Sequence, residues 1–190
     1  MTKRLTKIGV NPDFQELSSF VHELPTVFET GGKVIYKGRN ELKEFDVEGK
    51  KLIVKSYQLP HLLNRIIYNF FRASKAKRSY SYALMLRKLG IGSPAPVGYY
   101  STGSWLLFGR SYFVCLKSDC PYTYRDFEKT VFPNQEQILR AIARTTAMLH
   151  ENGLLHKDYS AGNILFRTID EKVEVEIIDL NRMRFGNVGI

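Results

Sequence analysis

The polar segment from His156 to Asn163 contains the residues of this chain that are best suited to chemistry. Asp158 and Asn163 lie five residues apart, between short apolar runs at 154–155 and 164–166. A loop bounded in this way can turn both side chains into one space. A carboxylate can orient and deprotonate an acceptor hydroxyl, and an amide oxygen can hold Mg²⁺, which is what phosphoryl transfer from ATP requires. The segment is therefore a candidate catalytic loop.

A second carboxylate follows at the end of a predicted strand. Residues 173–178 alternate between apolar and polar types over most of their length, as a half-buried strand does, and Asp179 comes directly after them. Residues 167–172 indicate a polar hairpin turn, which would bring the loop and the end of the strand side by side. Because Mg²⁺ prefers oxygen ligands, Asp179 could bind it alongside Asn163. The ordered pattern of loop, hairpin and strand is more specific than the His-x-Asp triplet alone.

The runs HKDYSAGNILF and IIDLNRMRF resemble the protein-kinase-like superfamily, and most closely its lipopolysaccharide kinases, which phosphorylate Kdo or heptose sugars of the lipid A inner core. The resemblance extends upstream through IYKGRNELKEF, KKLIVKSY, GIGSPAPVGYY and SDCPYTYRDF, and covers about residues 31–186. It implies that Asp158 is the catalytic base and that Asn163 and Asp179 are metal ligands. It also implies that Lys55 is the lysine that binds the phosphates of ATP.

The expected architecture is an α+β, protein-kinase-like fold, in which an antiparallel five-stranded N-lobe sheet precedes a mostly helical, abbreviated C-lobe. Residues 1–30 would form an N-terminal extension, 31–118 the N-lobe with a basic helical insert, and 119–190 the C-lobe. Only eleven residues follow Asp179, so the C-lobe is expected to be incomplete, either in a fragment or in a reduced member of the fold. The strands predicted from apolar runs and turn signals are 33–36, 42–47, 51–57, 105–108 and 111–116, with a turn at Gly109 and Arg110 between the last two.

A helix is expected directly before the catalytic loop. Asn134 can cap its N-terminus, with Gln137 three residues later, and Gly153 ends it. Its inward-facing residues are predicted to be Ile138, Leu139, Ile142, Thr146 and Leu149.

The expected ATP site combines one lysine with two loop segments. An ammonium group on a rigid strand can be aimed at the α- and β-phosphates. The first turn of the sheet lies where kinase-like folds close a loop over the phosphates, but it lacks G-x-G-x-x-G, so an ordinary hairpin is the alternative. The candidate nucleotide-binding residues are Lys55, the turn residues Gly38, Arg39 and Asn40, and the hinge residues Leu116, Lys117 and Ser118, whose backbone would bind adenine.

The helix predicted over residues 74–89, and ended by Gly90, departs from the kinase pattern. The kinase fold places a glutamate there to pair with the strand lysine, whereas this helix contains no acidic residue. Ser79 or Ser81 occupies the expected position. Without a carboxylate partner, Lys55 would be held less rigidly, and the positioning of the phosphates would suffer.

Charge is concentrated in one stretch of the chain. Residues 50–118 contain twelve of the 28 Lys and Arg residues and none of the 19 Asp and Glu residues. This stretch favours anionic partners, namely a membrane surface, phosphorylated lipid A or a nucleotide, although a merely solvated basic face is the alternative. No nucleic-acid-binding motif accompanies the charge, which argues against nucleic acid. Within this stretch, residues 60–71 predict a helix that either faces the core or lies in a membrane surface.

Other signals indicate a cytoplasmic protein at the inner face of the cytoplasmic membrane. The first residues lack the apolar segment of a secretory signal peptide, and no apolar run reaches eighteen residues. Two cysteines, Cys115 and Cys120, do not form a disulfide framework or a metal-ligand pattern. The expected activity is ATP- and Mg²⁺-dependent phosphorylation of a sugar hydroxyl in the lipopolysaccharide inner core. The alternatives are a small-molecule or protein kinase of the same fold, and a nucleotide-binding pseudokinase that docks on membranes.

Overall fold

The computed structural model describes residues 5–57, 73–103, 108–170 and 172–186, so the helix predicted at 60–71 lies outside it. The chain divides into two compact units. The first comprises Met1–Ser81 and Ala95–Lys117, and the second comprises Tyr82–Pro94 and Ser118–Ile190. Both units combine antiparallel strands with helices, which confirms the α+β class. Within the described ranges, no helix is both long and apolar enough to cross a bilayer.

A six-stranded antiparallel sheet forms the first unit, in the order β1-β5-β6-β4-β3-β2. The prediction of five strands was wrong because the segment near the N-terminus supplies β1, which pairs along its whole length with β5. The strands at positions 33–36, 42–47 and 51–57 are each found within one residue of their predicted bounds. The six strands are β1 Leu5–Val10, β2 Lys33–Lys37, β3 Glu41–Val47, β4 Lys50–Tyr57, β5 Pro96–Gly103 and β6 Phe108–Leu116.

The predicted turn at Gly109 and Arg110 was wrong, because both residues lie inside β6. The strand that pairs with β6 on this side is β5, whereas a strand at 105–108 had been expected; residues 104–107 are outside the described ranges. Gly109 is needed for close packing, since a Cβ atom there would lie 2.6 Å from the carbonyl oxygen of Thr102. A glycine that resembled a turn signal therefore marks a close approach of two strands.

Three short helical segments cover one face of the sheet. They are a 3₁₀ helix, Pro12–Leu17, followed by α1, Ser18–His22, and α2, Leu24–Thr30. Their apolar residues pack against the sheet, and burial of each large side chain stabilises the fold by about 1.5–3 kcal/mol. Residues 12–30 are thus part of the core of the first unit, where the sequence had predicted an extension. The buried residues of this core are Leu17, Val21, Leu24, Phe28, Leu52, Val54, Val97, Tyr112 and Val114.

The helix predicted at 74–89 is α3, Lys75–Lys88. Gly90, with a φ of 73°, terminates it in the left-handed conformation, and the N–H of Ile91 donates to the carbonyl of Leu86 at 2.9 Å, as in a Schellman cap. The four side chains along its buried stripe are small or apolar, at positions 76, 79, 83 and 86. This helix therefore has the predicted bounds and no acidic residue on either face.

The second unit contains five short strands besides its helices, so a mostly helical C-lobe was an incomplete prediction. Three of the strands form a sheet in the order β10-β9-β7, and two form a ribbon, β11-β8. Phe166 of β9 is fully buried and contacts the rings of Tyr122, Phe127 and Phe132. The elements are β7 Tyr122–Thr123, α4 Tyr124–Phe127, α5 Gln135–Glu151, β8 Leu154–His156, β9 Ile164–Ile169, β10 Lys172–Ile177 and β11 Met183–Phe185.

Helix α5 has the predicted position but two different details. Ile138, Ile142 and Leu149 are buried as expected, whereas Leu139 is 44% exposed because it lies beside the buried stripe rather than on it. The side chain of Asn134 does not cap the helix. Its amide instead donates to the hydroxyl of Thr168 at 3.1 Å.

Candidate active site

His156 joins the candidate catalytic loop, residues 156–163, to the end of β10. The ring is 4% exposed at the end of β8, and its Nδ1 accepts a hydrogen bond from the backbone N–H of Asp158 at 3.1 Å. Because an N–H group can only donate, the neutral ring carries its proton on Nε2, which donates to the carbonyl of Ile178 at 3.0 Å. One side chain thus holds the residue before Asp179 beside the loop that contains Asp158.

Asn163 completes this network from the other end of the loop. Its side-chain Nδ2 donates to the backbone carbonyl of Asp158 at 2.8 Å, and the backbone carbonyl of Asn163 accepts a hydrogen bond from the N–H of Ile178 at 3.0 Å. The amide group is therefore oriented by its nitrogen, and its side-chain oxygen is the atom that can serve as a ligand. This arrangement suits a hard cation, which takes amide and carboxylate oxygens.

Asp179 is one of three residues other than glycine with positive φ in the described chain, at φ 58° and ψ 44°. Aspartate tolerates this left-handed conformation better than most residues, and such conformations concentrate at functional sites. Its carboxylate accepts a hydrogen bond from the amide of Asn181, which is itself buried. The conformation turns the chain sharply after β10 into a 3₁₀ helix, Leu180–Arg182.

The side chain of Asp158 is half-buried. Among the described residues of the second unit, none bonds to its carboxylate, since its three hydrogen-bonding partners in the loop, His156, Ser160 and Asn163, all contact its backbone. A carboxylate placed in this way can accept a proton. Among all described residues, no three His, Cys, Asp or Glu side chains are grouped as a metal site, but a Mg²⁺ ion bound by two side chains takes its other ligands from phosphates and water.

Tyr159 anchors the loop to α5, a role that the sequence did not indicate. The hydroxyl of Thr146 donates to the carbonyl of Ile142 at 2.8 Å, so the Tyr159 hydroxyl, 2.8 Å from it, is the donor in their contact. Burial raises the pKa of Tyr159. The inward position of Thr146 was predictable from helical spacing, but the partner from the loop was not.

We expect Tyr159→Phe to lower kcat several-fold, with a loss of about 1 kcal/mol in the free energy of unfolding, because the Thr146 hydroxyl loses its donor. Urea unfolding and initial rates at saturating ATP would measure the two effects. Tyr122→Phe is the matched control, since that ring packs on Phe132 and is 45% exposed. Equal behaviour of the two variants would contradict the anchoring role.

The predicted nucleotide-binding residues are divided between the units. Lys55 lies on β4, opposite Leu42 of β3 and Phe113 of β6. The turn after β2 is closed by a hydrogen bond from the N–H of Gly38 to the carbonyl of Asn40 at 3.0 Å. The first unit holds Gly38, Arg39, Asn40, Lys55, Leu116 and Lys117, and the second holds Ser118, Asp158, Asn163 and Asp179.

The hinge segment is already partly bonded. The N–H of Leu116 donates to the carbonyl of Ala95 at 2.9 Å, and that of Lys117 donates to the carbonyl of Lys51 at 2.8 Å. The ammonium of Lys117 pairs with Glu44 at 2.8 Å, and its hydrogen bond lowers the pKa of that carboxyl. An adenine ring would therefore have to use other backbone groups of this segment.

Ser118 makes a contact within the second unit that no sequence signal indicated. Its hydroxyl donates to the carboxylate of Glu176 on β10 and accepts the N–H of Cys120 at 3.0 Å. Burial raises the pKa of Glu176, against smaller opposing effects of Ser118 and Arg87. Burial also raises the pKa of the Cys120 thiol to about 11. The start of the second unit is therefore held against β10 by a carboxylate that is costly to ionise.

We expect Glu176→Gln to raise the melting temperature near neutral pH. The folded pKa of Glu176 is raised, so its favourable contribution is present below the unfolded pKa of about 4.3 and is lost as pH rises through the folded pKa. The two melting temperatures should converge at about pH 4, and diverge toward pH 7. Glu174→Gln, an exposed acid on the same strand, is the control, and a difference that does not change with pH would contradict the expectation.

Comparison with known proteins gives one family and one fold. The model of the "Lipopolysaccharide kinase (Kdo/WaaP) family" matches residues 45–186. The comparison with curated proteins gives no match. A solved structure described as "WaaP in complex with acyl carrier protein" aligns with a TM-score of 0.67 and 18% sequence identity, over 95% of this chain and 73% of that one. At this identity the likeness shows a shared fold, and the predicted kinase-like fold is confirmed.

Proposed function

Because the chain belongs to the lipopolysaccharide kinase (Kdo/WaaP) family, whose members are phosphotransferases that act on sugar hydroxyls, we propose a specific reaction for it. It transfers the γ-phosphate of ATP to a hydroxyl of a Kdo or heptose sugar in the lipopolysaccharide inner core. The observation that carries this proposal is the double anchoring of the catalytic loop. His156 and Asn163 fix the backbone on either side of the Asp158 carboxylate and link it to the residue before Asp179.

In this proposal Asp158 accepts the proton of the attacking sugar hydroxyl and orients it toward the phosphate. The amide oxygen of Asn163 and the carboxylate of Asp179 hold Mg²⁺, and the ammonium of Lys55 binds the α- and β-phosphates. When bound, Mg²⁺ would neutralise negative charge on the phosphates. Rigid anchoring of Asp158 supports this role because a base contributes only when it is held within hydrogen-bonding reach of its proton.

The acceptor in this proposal is presented by the inner face of the cytoplasmic membrane. The stretch at residues 50–118 has twelve basic and no acidic residues, which supports attraction to anionic lipid and to the phosphates of lipid A. In the described part of that stretch, α3 carries five Lys and Arg residues. The protein would bind this surface peripherally, by charge.

A panel of acceptors tests the reaction and its specificity together. The purified chain is incubated with γ-labelled ATP and Mg²⁺, and with Kdo-lipid A, a heptose-extended core, its delipidated oligosaccharide, free Kdo or a basic protein. We expect label only in the lipid-linked sugars, and none when EDTA is present. Label in free Kdo or in the protein alone would favour a different kinase of this fold. Label in Kdo-lipid A would indicate Kdo as the acceptor, whereas label only in the heptose-extended core would indicate heptose.

The absence of a carboxylate on α3 favours a second candidate, a nucleotide-binding pseudokinase that docks on membranes. Ser79 or Ser81 stands where the resemblance places a glutamate, so this helix does not supply the ion pair that kinases of this fold form with the strand lysine. Binding of Mg²⁺-ATP without transfer to any acceptor would support this candidate over the kinase.

A further inference from the structure

A buried pair of hydroxyls joins α3 to β4. The hydroxyl of Tyr57 lies 2.6 Å from the Oγ of Ser79, and the two residues are 4% and 2% exposed. Ser81, the other serine near the expected glutamate position, is exposed. Position 79 is therefore the one that faces the sheet, and a serine there meets a tyrosine of the strand.

The same tyrosine lies beside the strand lysine. Lys55 and Tyr57 are two residues apart on β4, so their side chains leave the same face of the strand. The ammonium of Lys55 is 5.4 Å from the centre of the Tyr57 ring, and that of Lys75, in the first turn of α3, is 6.0 Å from it. These distances lie within the range in which an aromatic ring attracts a cation.

The ring itself is held firmly. Tyr57 packs with Ala76 and Tyr99 in a small buried cluster, to which Tyr80 and Phe113 add their rings. Tyr80 and Tyr99 are in contact, with ring centres 5.3 Å apart. A ring packed on its neighbours and bonded at its hydroxyl offers a fixed face to the ammonium.

We propose that Tyr57 is a positioning residue for Lys55, and that its hydrogen bond to Ser79 replaces the ion pair between strand lysine and helix glutamate. The inference rests on the proposed function, in which Lys55 binds the phosphates of ATP. The aromatic face places the ammonium, and the hydroxyl pair ties the helix to the strand. This neutral link needs no carboxylate at a position that is almost fully buried, where an unpaired charge would be costly.

The two hydroxyls are expected to act as one unit. Tyr57→Phe keeps the ring and removes the bond, and Ser79→Ala removes the same bond from the other side. Each is expected to weaken Mg²⁺-ATP binding and to lower kcat/KM for ATP by about fivefold. This factor is the free energy of one buried hydrogen bond expressed as a ratio of rates. The double variant should be no worse than either single variant, because only one interaction is lost. Tyr57→Leu, which also removes the aromatic face, should lower kcat/KM by about 30-fold.

Two controls separate positioning from general stability. Ser81→Ala removes a hydroxyl from the same helix at an exposed site and should leave ATP affinity unchanged. Tyr99→Leu removes another ring of the same cluster. The hydrogen bond of the Ser79 hydroxyl is made to Tyr57 and not to Tyr99, so this variant leaves that bond in place. If Tyr57→Leu and Tyr99→Leu lower ATP affinity equally at matched fractions folded, the role of Tyr57 is structural and the inference is overturned.

The measurement is the dissociation constant of Mg²⁺-ATP by calorimetry, with kcat and KM where an acceptor is phosphorylated, and Lys55→Ala as reference. Additive losses in the double variant, or unchanged affinity in both singles while Lys55→Ala binds weakly, would overturn the inference alone. Wild-type protein that neither binds ATP nor transfers phosphate would overturn the proposed function, and the inference with it. Unchanged affinity in Lys55→Ala would overturn the role of that lysine and the positioning by Tyr57 together.

Discussion

Asp158→Asn is expected to lower kcat by about 10³-fold, in the middle of the range for loss of a general base. All three hydrogen bonds that anchor this residue use its backbone: the N–H donates to His156, and the carbonyl accepts from the side chain of Asn163 and the N–H of Ser160. Replacement of the carboxylate by an amide of the same shape therefore leaves the loop in place. Affinity for Mg²⁺-ATP and the melting temperature should change little, which calorimetry and thermal unfolding would measure beside the transfer rate.

Asp170→Asn serves as the matched control for that variant. Asp170 is an exposed carboxylate in the turn between β9 and β10, with a φ of 44° that asparagine also tolerates. Its rate should equal that of the wild type. A rate for Asp158→Asn within tenfold of the control would exclude Asp158 as the base.

If Asp179 holds Mg²⁺ as proposed, Asp179→Asn is expected to lower Mg²⁺-dependent transfer by about 10³-fold at a Mg²⁺ concentration that saturates the wild type, because a bound Mg²⁺ ion supplies several kcal/mol of charge stabilisation. Asparagine is preferable to alanine here. Asp179 has left-handed backbone angles, so alanine would add strain to the loss of the carboxylate. The amide oxygen of the variant can still accept the hydrogen bond from Asn181.

A titration of activity with Mg²⁺ distinguishes loss of a ligand from loss of structure. The Asp179→Asn variant should need more Mg²⁺ for its residual activity, with an unchanged melting temperature. Asp119→Asn, at an exposed carboxylate of the same unit, should follow the wild-type titration. A variant with normal Mg²⁺ dependence would show that Asp179 is not a ligand.

The proximity of Asp158 and Asn163 was predictable because the contacts of this loop are local in sequence. Asp158 is bonded to His156, two residues away, and to Asn163, five residues away. Spacing alone determines whether such groups can meet. Strands β2, β3 and β4 were predictable for the same reason, since the turns that connect them are short and carry glycine.

Contacts between distant parts of the chain gave no such signal. Ser118 and Glu176 are 58 residues apart, and the backbone pairing of β9, β10 and β7 decides that they meet. The glycine at 109 was misinterpreted because a close approach and a turn need the same residue type. Tyr57 and Ser79 belong to two elements that were each predicted correctly, but their contact depends on how the helix is rotated on the strand.

The pairing of β1 with β5 has a consequence for synthesis on the ribosome. Among the six strands of this sheet β1 comes first in the chain, yet it pairs with residues up to Gly103, and β6, which lies between β5 and β4, comes later still. The full sheet cannot form until β6, which ends at Leu116, has left the exit tunnel, and until then the apolar residues of the three helical segments lack part of the surface that they cover. At ordinary elongation rates, on the order of 5–20 residues per second, the nascent chain therefore exposes these apolar residues for several seconds, the period in which exposed apolar surface favours aggregation.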